Sequence, residues 1–189
     1  MTQMNSNAFR EKLVLVVLLL GSLSAQASSW SFSAPHDTVP KNAEEYEWTE
    51  NKADLPAYPD KEKLVRIKFD RPDARFEFFI DPETLTVGDD DVVRYVLLLR
   101  SPSGSENIMF EGIRCGSKDY KTFAFGTREN KFRQLRSPAW KEITKTSNNW
   151  FRYDLWKYYF CSMDERLKVI TRENILQRLR NPSDLLPNK

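Results

Sequence analysis

Histidine is almost absent from this chain, which has one, His36, among 189 residues. Catalytic triads need a histidine base and many zinc centres need several histidines, so a single histidine excludes both classes. The G-x-S-x-G, HEXXH, phosphate-binding glycine-rich and Cys-x-x-Cys patterns are missing as well. Carboxylate-pair chemistry stays open, although no spacing singles out a pair. The sequence therefore predicts no cofactor, no metal site and no recognisable catalytic centre.

The chain also lacks an excess of charge of either sign. Lysine and arginine number 29 against 27 acidic residues, which gives a net charge of +2. A nucleic-acid-binding domain usually shows a clear basic excess. We therefore expect no nucleic-acid partner, although the balance leaves room for a local basic patch.

The first 27 residues carry the pattern of a secretory signal peptide. Arg10 and Lys12 precede an apolar run over residues 13–20, and small residues follow at Ala25 and Ala27. The run is about half the ~20 residues that span a bilayer, which favours cleavage after Ala27 over an uncleaved anchor. No cysteine lies close behind it, so a lipoprotein is not expected. We expect an exported, periplasmic protein.

Composition divides the exported part into three segments. Residues 28–63 are polar and contain prolines, which predicts an extended or partly disordered segment. This segment is either a solvated tether or is held to the domain by Trp48 and Tyr58. Residues 64–181 form one domain of a size that can bury a core. Residues 182–189 are predicted to be a flexible tail.

Short apolar stretches separated by turn residues predict an antiparallel β-meander in the first part of the domain. Residues 92–100 are so continuously apolar that we expect a central strand covered on both faces. The other predicted strands span residues 64–69, 76–80, 85–87, 107–115 and 120–125.

The last part of the domain predicts one or two helices. Residues 150–160 can form an aromatic-rich helix with Asn149 as its N-cap. Residues 172–180 form a second helix, with Thr171 as N-cap and a stop at Asn181 and Pro182. The predicted fold class is α+β, an antiparallel sheet with these helices packed on it.

The two cysteines, Cys115 and Cys161, both lie in the exported part. An oxidising compartment favours their pairing. Such a disulfide would link the central hairpin to the end of the aromatic segment. A reactive thiol is not expected, because His36 lies in the lead-in segment and could not easily serve as its base.

Charged residues on the central hairpin are candidates for a binding site. Arg94 and Arg100 share a face of their strand, because side chains two apart point the same way. Glu111 and Arg114 lie on opposite faces unless Gly112 forms a bulge. The set could be an anion-binding patch, or a group of ion pairs at strand ends. The latter interpretation is favoured.

Three other groups of residues could each form a site or have an ordinary structural role. Asp89-Asp90-Asp91 has the composition of a metal cluster, but adjacent carboxylates rarely share one ion, so a solvated loop is expected. Six aromatic residues could form a ligand groove, although filling the core is favoured: Trp140, Trp150, Tyr153, Trp156, Tyr158 and Tyr159. A basic run interleaved with Phe132 and Trp140 could face phospholipid head groups or other polyanions, although a flexible solvated loop is favoured: Arg128, Lys131, Arg133, Arg136 and Lys141.

A set of short segments follows a fixed order along the domain. They are FIDP at 79–82, LTVG at 85–88, VVRY at 92–95, RSPSG at 100–104, EN at 106–107, EGIRC at 111–115, FAFG at 123–126, Trp140 and YFC at 159–161. This set resembles the CNP-one-like family of proteobacterial envelope proteins, over about residues 55–180. The resemblance implies a single exported domain, and it brings no assigned activity, cofactor or ligand. It directs attention to residues 111–115, where a structural role is an equally good explanation.

The sequence thus predicts a periplasmic, non-enzymatic binding module of the Gram-negative envelope. The alternative is an envelope hydrolase that uses carboxylate and arginine chemistry near Glu111 and Arg114. The expected partner is an unidentified envelope protein or a small ligand, and membrane contact would be peripheral only. The candidate binding residues are Arg94, Arg100, Glu111, Arg114, Trp140 and Tyr159.

Overall fold

The computed structural model describes residues 48–71, 74–145, 149–164 and 167–182. The predicted signal peptide at 1–27, residues 28–47 and the tail at 183–189 lie outside these ranges. Within them, no helix combines the length and the apolar character needed to cross a membrane.

Three long antiparallel strands form the centre of the sheet: β4 (Val92–Arg100), β5 (Glu106–Arg114) and β6 (Asp119–Gly126). Short strands line both sides of this centre. β2 (Glu77–Ile80) and β3 (Thr86–Val87) both pair with β4, and β1 (Val65–Arg66) pairs with β2. On the other side, β7 (Phe132–Gln134) and β8 (Lys141–Glu142) both pair with β6. The predicted antiparallel meander and the α+β fold class are confirmed.

The C-terminal part contains two helices, α1 (Trp150–Asp154) and α2 (Arg172–Arg180). Thr171 caps α2 as predicted, because its side chain accepts a hydrogen bond from the Asn174 N–H. The side chain of Asn149 does not cap α1. It accepts a hydrogen bond from Arg152 instead.

The single helix expected over residues 150–160 changes its pitch half-way. α1 continues into a π-helical turn over Leu155–Phe160. Buried side chains occur as adjacent pairs every four residues, at 151–152, 155–156 and 159–160. An α-helix of 3.6 residues per turn would rotate such a stripe by about 40° per repeat. The wider π turn keeps the stripe facing the sheet.

The two faces of the sheet carry separate apolar clusters. One face packs against α1, the π-helical turn and α2, and the odd-numbered residues Val93, Tyr95 and Leu97 of β4 belong to it. The other face carries Val96 and Leu98 of β4, with Ile108, Phe110, Phe123 and Ala124. β4 is therefore covered on both sides, as its apolar sequence predicts.

The N-terminal segment that the structure describes covers the face opposite the helices. Ala53, Tyr58 and Leu64 pack against the apolar cluster there. Trp48 donates its indole N–H to the backbone carbonyl of Asp90 at 2.8 Å. Residues 48–64 therefore cover this face of the sheet, as the helices cover the other face.

The disulfide between Cys115 and Cys161 is present, with a Cα–Cα distance of 5.7 Å. Cys115 follows β5 directly and Cys161 follows the π-helical turn. The bond therefore links the central strand to the helical layer, as the sequence predicts.

Candidate functional site

Arg94 and Asp90 form a buried ion pair beneath the N-terminal segment. The guanidinium donates to both carboxylate oxygens, at 3.0 Å from Nη1 and 2.6 Å from Nη2. Asn51 completes the arrangement, since its carbonyl accepts from Arg94 at 3.0 Å and its N–H donates to Asp90 at 2.9 Å. Arg94 is therefore a structural link between β4 and the segment that covers it.

Asp90 corrects one expectation from the sequence. The run Asp89–Asp91 was predicted to be a solvated loop, yet Asp90 is only 5% exposed. Burial alone would raise the pKa of this carboxyl, but hydrogen bonds from Arg94 and Asn51 outweigh it and hold the pKa below its ordinary value. Within the described ranges, no three His, Cys, Asp or Glu side chains are arranged to hold a metal ion.

Arg114 lies between two tryptophans on the same face as Arg94. Its guanidinium carbon is 4.1 Å from the ring centre of Trp48 and 5.3 Å from that of Trp140. The charge is matched by Asp119 at 2.8 Å. The cation–π contacts with two rings and the ion pair hold the Arg114 side chain in place, so its role here is structural.

Glu111 lies on the opposite face and is fully buried. Its carboxylate accepts hydrogen bonds from Arg152, at 2.6 Å and 3.0 Å, from Thr122 at 2.7 Å and from Tyr95 at 3.2 Å. Burial raises the pKa of the Tyr95 hydroxyl well above its usual value, so it stays a donor. The strand bulge occurs between Phe110 and Glu111 against β6.

Glu111 and Arg114 are consequently not brought together. The β4–β5 pairing runs without interruption from one end to the other, so alternation separates Glu111 from Arg114 onto different faces. The pocket joining Arg94, Glu111 and Arg114, which the hydrolase alternative needs, is not formed by these residues.

Two further candidate residues, Arg100 and Tyr159, lie apart from the groups described above. Arg100 pairs with Glu106 at 3.0 Å at the end of the central hairpin and stacks on Phe79 at 4.7 Å. Tyr159 is buried in the helical layer, where its hydroxyl donates to the Lys68 carbonyl. Burial raises the pKa of Tyr159. Both residues therefore have structural partners.

The six aromatic residues do not line one groove. Trp156 and Tyr159 belong to the core beneath the helices, and Trp150, Tyr153 and Tyr158 are partly buried and pack against it. Trp140 lies across the sheet, 5.9 Å from the ring of Trp48, and donates to Glu50 at 3.2 Å. The core interpretation of the helical aromatics is the one the packing supports.

A cleft of about 680 Å³ lies between residues 51–60 and the turn after β2. Tyr58 and Phe110 contribute aromatic surface, and four carboxylates contribute negative charge. They belong to Asp54, Asp60, Asp81 and Glu83. Arg94 reaches the cleft, but its charge is already neutralised by Asp90.

The five basic residues singled out in the sequence lie along one side of the sheet, and we call them the basic edge: Arg128, Lys131, Arg133, Arg136 and Lys141. All five are exposed. In the part of the chain that the structure describes, none of them has an ion pair, a hydrogen bond or a ring contact through its side chain. Two exposed carboxylates, Glu129 and Glu142, lie in the same stretch.

Strand pairing fixes where the basic edge lies. Arg133 on β7 pairs with Phe125, and Lys141 on β8 pairs with Tyr120, both on β6. These positions are about 17 Å apart along the strand. Phe132 turns inward to Tyr58, with ring centres 5.3 Å apart, and so fixes β7 to the domain.

The structural roles of Arg152 and Asp90 were not predicted from the sequence. Arg152 stands in the buried stripe beside Phe151, and Glu111 stands between apolar strand residues. A charge at a core-facing position in each element is the signal that could have paired Arg152 with Glu111, since buried charges need partners.

The architecture defines an α+β domain in which one face of an antiparallel sheet carries helices, the other carries an extended segment, and a disulfide joins sheet to helix. The chain belongs to the CNP1-like family, whose model matches residues 43–180. Cryptic neisserial protein 1 of Neisseria gonorrhoeae is 26% identical over 164 residues, which cover 72% of this chain and 76% of that protein. A search of solved structures finds no significant match.

Proposed function

We propose that this protein is an exported, periplasmic binding module that engages an anionic partner through the basic edge. The observation that carries the proposal is that five exposed cations, without a partner in the described ranges, lie together along one edge within residues 128–141. By contrast, the candidate charged residues on the central strands form ion pairs with other residues of the same chain. A charged surface whose groups are not used by the fold is available for another molecule.

Two features support a periplasmic location. The leader over residues 1–27 has the pattern that directs export. The Cys115–Cys161 bond lies in the buried core, where both cysteines are at most 1% exposed. A structural disulfide of this kind is maintained in oxidising compartments such as the periplasm.

Binding is favoured over catalysis by the state of the carboxylate that the hydrolase alternative would use. Glu111 is fully buried and its oxygens accept hydrogen bonds from three neighbours. A general base or nucleophile must come within hydrogen-bond reach of a substrate. Arg114, on the other face, cannot stabilise charge developing beside Glu111.

Photo-crosslinking in living cells tests the proposal. The crosslinking residue replaces Gln134, an exposed neutral position on β7 among the cations. The matched control replaces Lys68, which is exposed near the opposite side of the sheet. We expect an ultraviolet-dependent adduct from position 134, with a protein or with a phospholipid, that is lost on Arg133→Glu with Arg136→Glu. Equal labelling from both positions, or no adduct of either kind from position 134, would refute the proposal.

A further inference from the structure

We propose that the partner of the basic edge is the anionic phospholipid surface of an envelope membrane. This inference rests on the proposed function and names the partner of the same surface. Two properties favour a lipid surface: the spread of the cations along the edge and the distribution of charge over the chain. The direction of the aromatic rings shows how deep the contact goes.

The cations are spread along an edge and are not gathered in a pocket. They come from the β6–β7 loop, β7 itself, the residues after it and β8. None of them lines the 680 Å³ cleft. A single small anion is bound by groups that converge on it, whereas a membrane offers many mobile charges in a plane. An extended row of separate cations fits the second kind of partner.

The rest of the chain has almost no net charge. Without the five residues of the basic edge and the neighbouring Glu129 and Glu142, 24 lysines and arginines remain against 25 acidic residues. The molecule therefore has a positive edge on a nearly neutral body. Near an anionic surface such a charge distribution orients the protein, with the edge toward the lipid and the body away from it.

The aromatic rings of this stretch show how deep the contact goes. Phe132 packs on Tyr58 and Phe110, and Trp140 packs on Trp48. Both rings are directed into the protein and are not free to enter the acyl region. Because the contact would be made by Lys and Arg side chains alone, binding should be superficial and highly sensitive to salt.

Vesicle flotation with the protein purified from the periplasm tests the inference. We expect binding to vesicles of phosphatidylethanolamine with phosphatidylglycerol and none to phosphatidylcholine vesicles. Binding should fall steeply above about 0.15 M salt, where the Debye length is near 8 Å. Each cation removed should weaken binding about fivefold, and Arg133→Gln with Arg136→Gln about 25-fold.

The matched control is Lys68→Gln with Arg75→Gln, which removes two exposed cations near the opposite side of the sheet. This variant should bind like the parent protein. Equal binding to both vesicle types, loss in the control pair, or release by glycerol phosphate at constant ionic strength would overturn the inference. A protein adduct at position 134 without vesicle binding would overturn it too, while the proposed function would stand. If neither the adduct at position 134 nor vesicle binding is observed, both the proposed function and this inference are refuted.

Discussion

The carboxylate of Glu111 and the guanidinium of Arg152 form a bidentate ion pair inside the domain, with separations of 2.6 Å and 3.0 Å. Glu111 comes from the middle of β5 and Arg152 from α1, so the pair joins the sheet to the helical layer. Burial lowers the pKa of Arg152, but the adjacent carboxylate more than compensates and raises it. The Arg152 guanidinium is therefore charged, and removing its buried partner carries a large penalty.

Removing one partner of this pair should be strongly destabilising. Arg152→Met leaves the Glu111 carboxylate buried without its counter-ion, and the expected loss is about 3–5 kcal/mol in the free energy of unfolding. Urea unfolding followed by tryptophan fluorescence measures it. The double variant Glu111→Leu with Arg152→Met removes both charges and should be more stable than the single variant. A single variant as stable as the parent protein would contradict this account.

Gly88 is required by the close approach of the Asp90–Arg94 pair. A Cβ at this position would overlap the Asp90 carboxylate and lie 2.9 Å from Arg94 Nη1. Gly88→Ala should therefore displace the pair and destabilise the protein by about 1–3 kcal/mol. Gly116→Ala is the matched control, because a Cβ there has no neighbour within 4 Å. Equal melting temperatures for the two variants would show that the pair can shift at little cost.

Asp90 should make stability depend on pH in the acid range. Its folded-state pKa is lowered, so its contribution is present above the unfolded value of about 3.9 and is lost as pH falls through the folded value. Asp90→Asn should be less stable at neutral pH and should lose less stability than the parent between about pH 5 and 2. Urea midpoints across that range measure the difference. Asp54→Asn, at an exposed position, should keep the parent's pH dependence.

Local sequence patterns predicted the elements whose signals are themselves local. The uninterrupted apolar run predicted that β4 is covered on both faces. Thr171 and Pro182 predicted where α2 begins and ends. Alternation also placed Glu111 and Arg114 on opposite faces. Phe76, assigned by the same alternation to a strand, lies just before β2 and is 48% exposed.

Long-range partners could not be predicted in the same way. Asp90 is buried because Asn51, which is 39 residues away, closes over it. Arg152 is 41 residues from Glu111. Periodicity reports which side of an element a residue occupies, but it carries no information about the residue it meets across the core. The 3.6-residue period of an α-helix alone does not predict the π-helical turn over Leu155–Phe160.

The disulfide should contribute substantially to stability. Cys115 and Cys161 close a loop of 46 residues, and by chain entropy such a link is worth about 4 kcal/mol. Cys115→Ser with Cys161→Ser should lower the melting temperature by more than 10 °C, which thermal unfolding measured by circular dichroism would detect. Reduction of the parent protein should give the same shift and leave the double variant unchanged. Unequal effects of reduction and mutation would point to a cost of the serine hydroxyls in the core.

Trp48 should determine whether the N-terminal segment stays on the sheet. Its ring covers Arg114, contacts Trp140 and donates a hydrogen bond to Asp90. Trp48→Ala removes all three contacts, so residues 48–52 should exchange amide hydrogens faster while the central strands keep their protection. Hydrogen exchange followed by mass spectrometry resolves the two regions. Lys52→Ala, whose side chain is exposed, is the control and should leave both unchanged. Uniform acceleration across the sheet in Trp48→Ala would mean that the segment and the domain unfold as one cooperative unit.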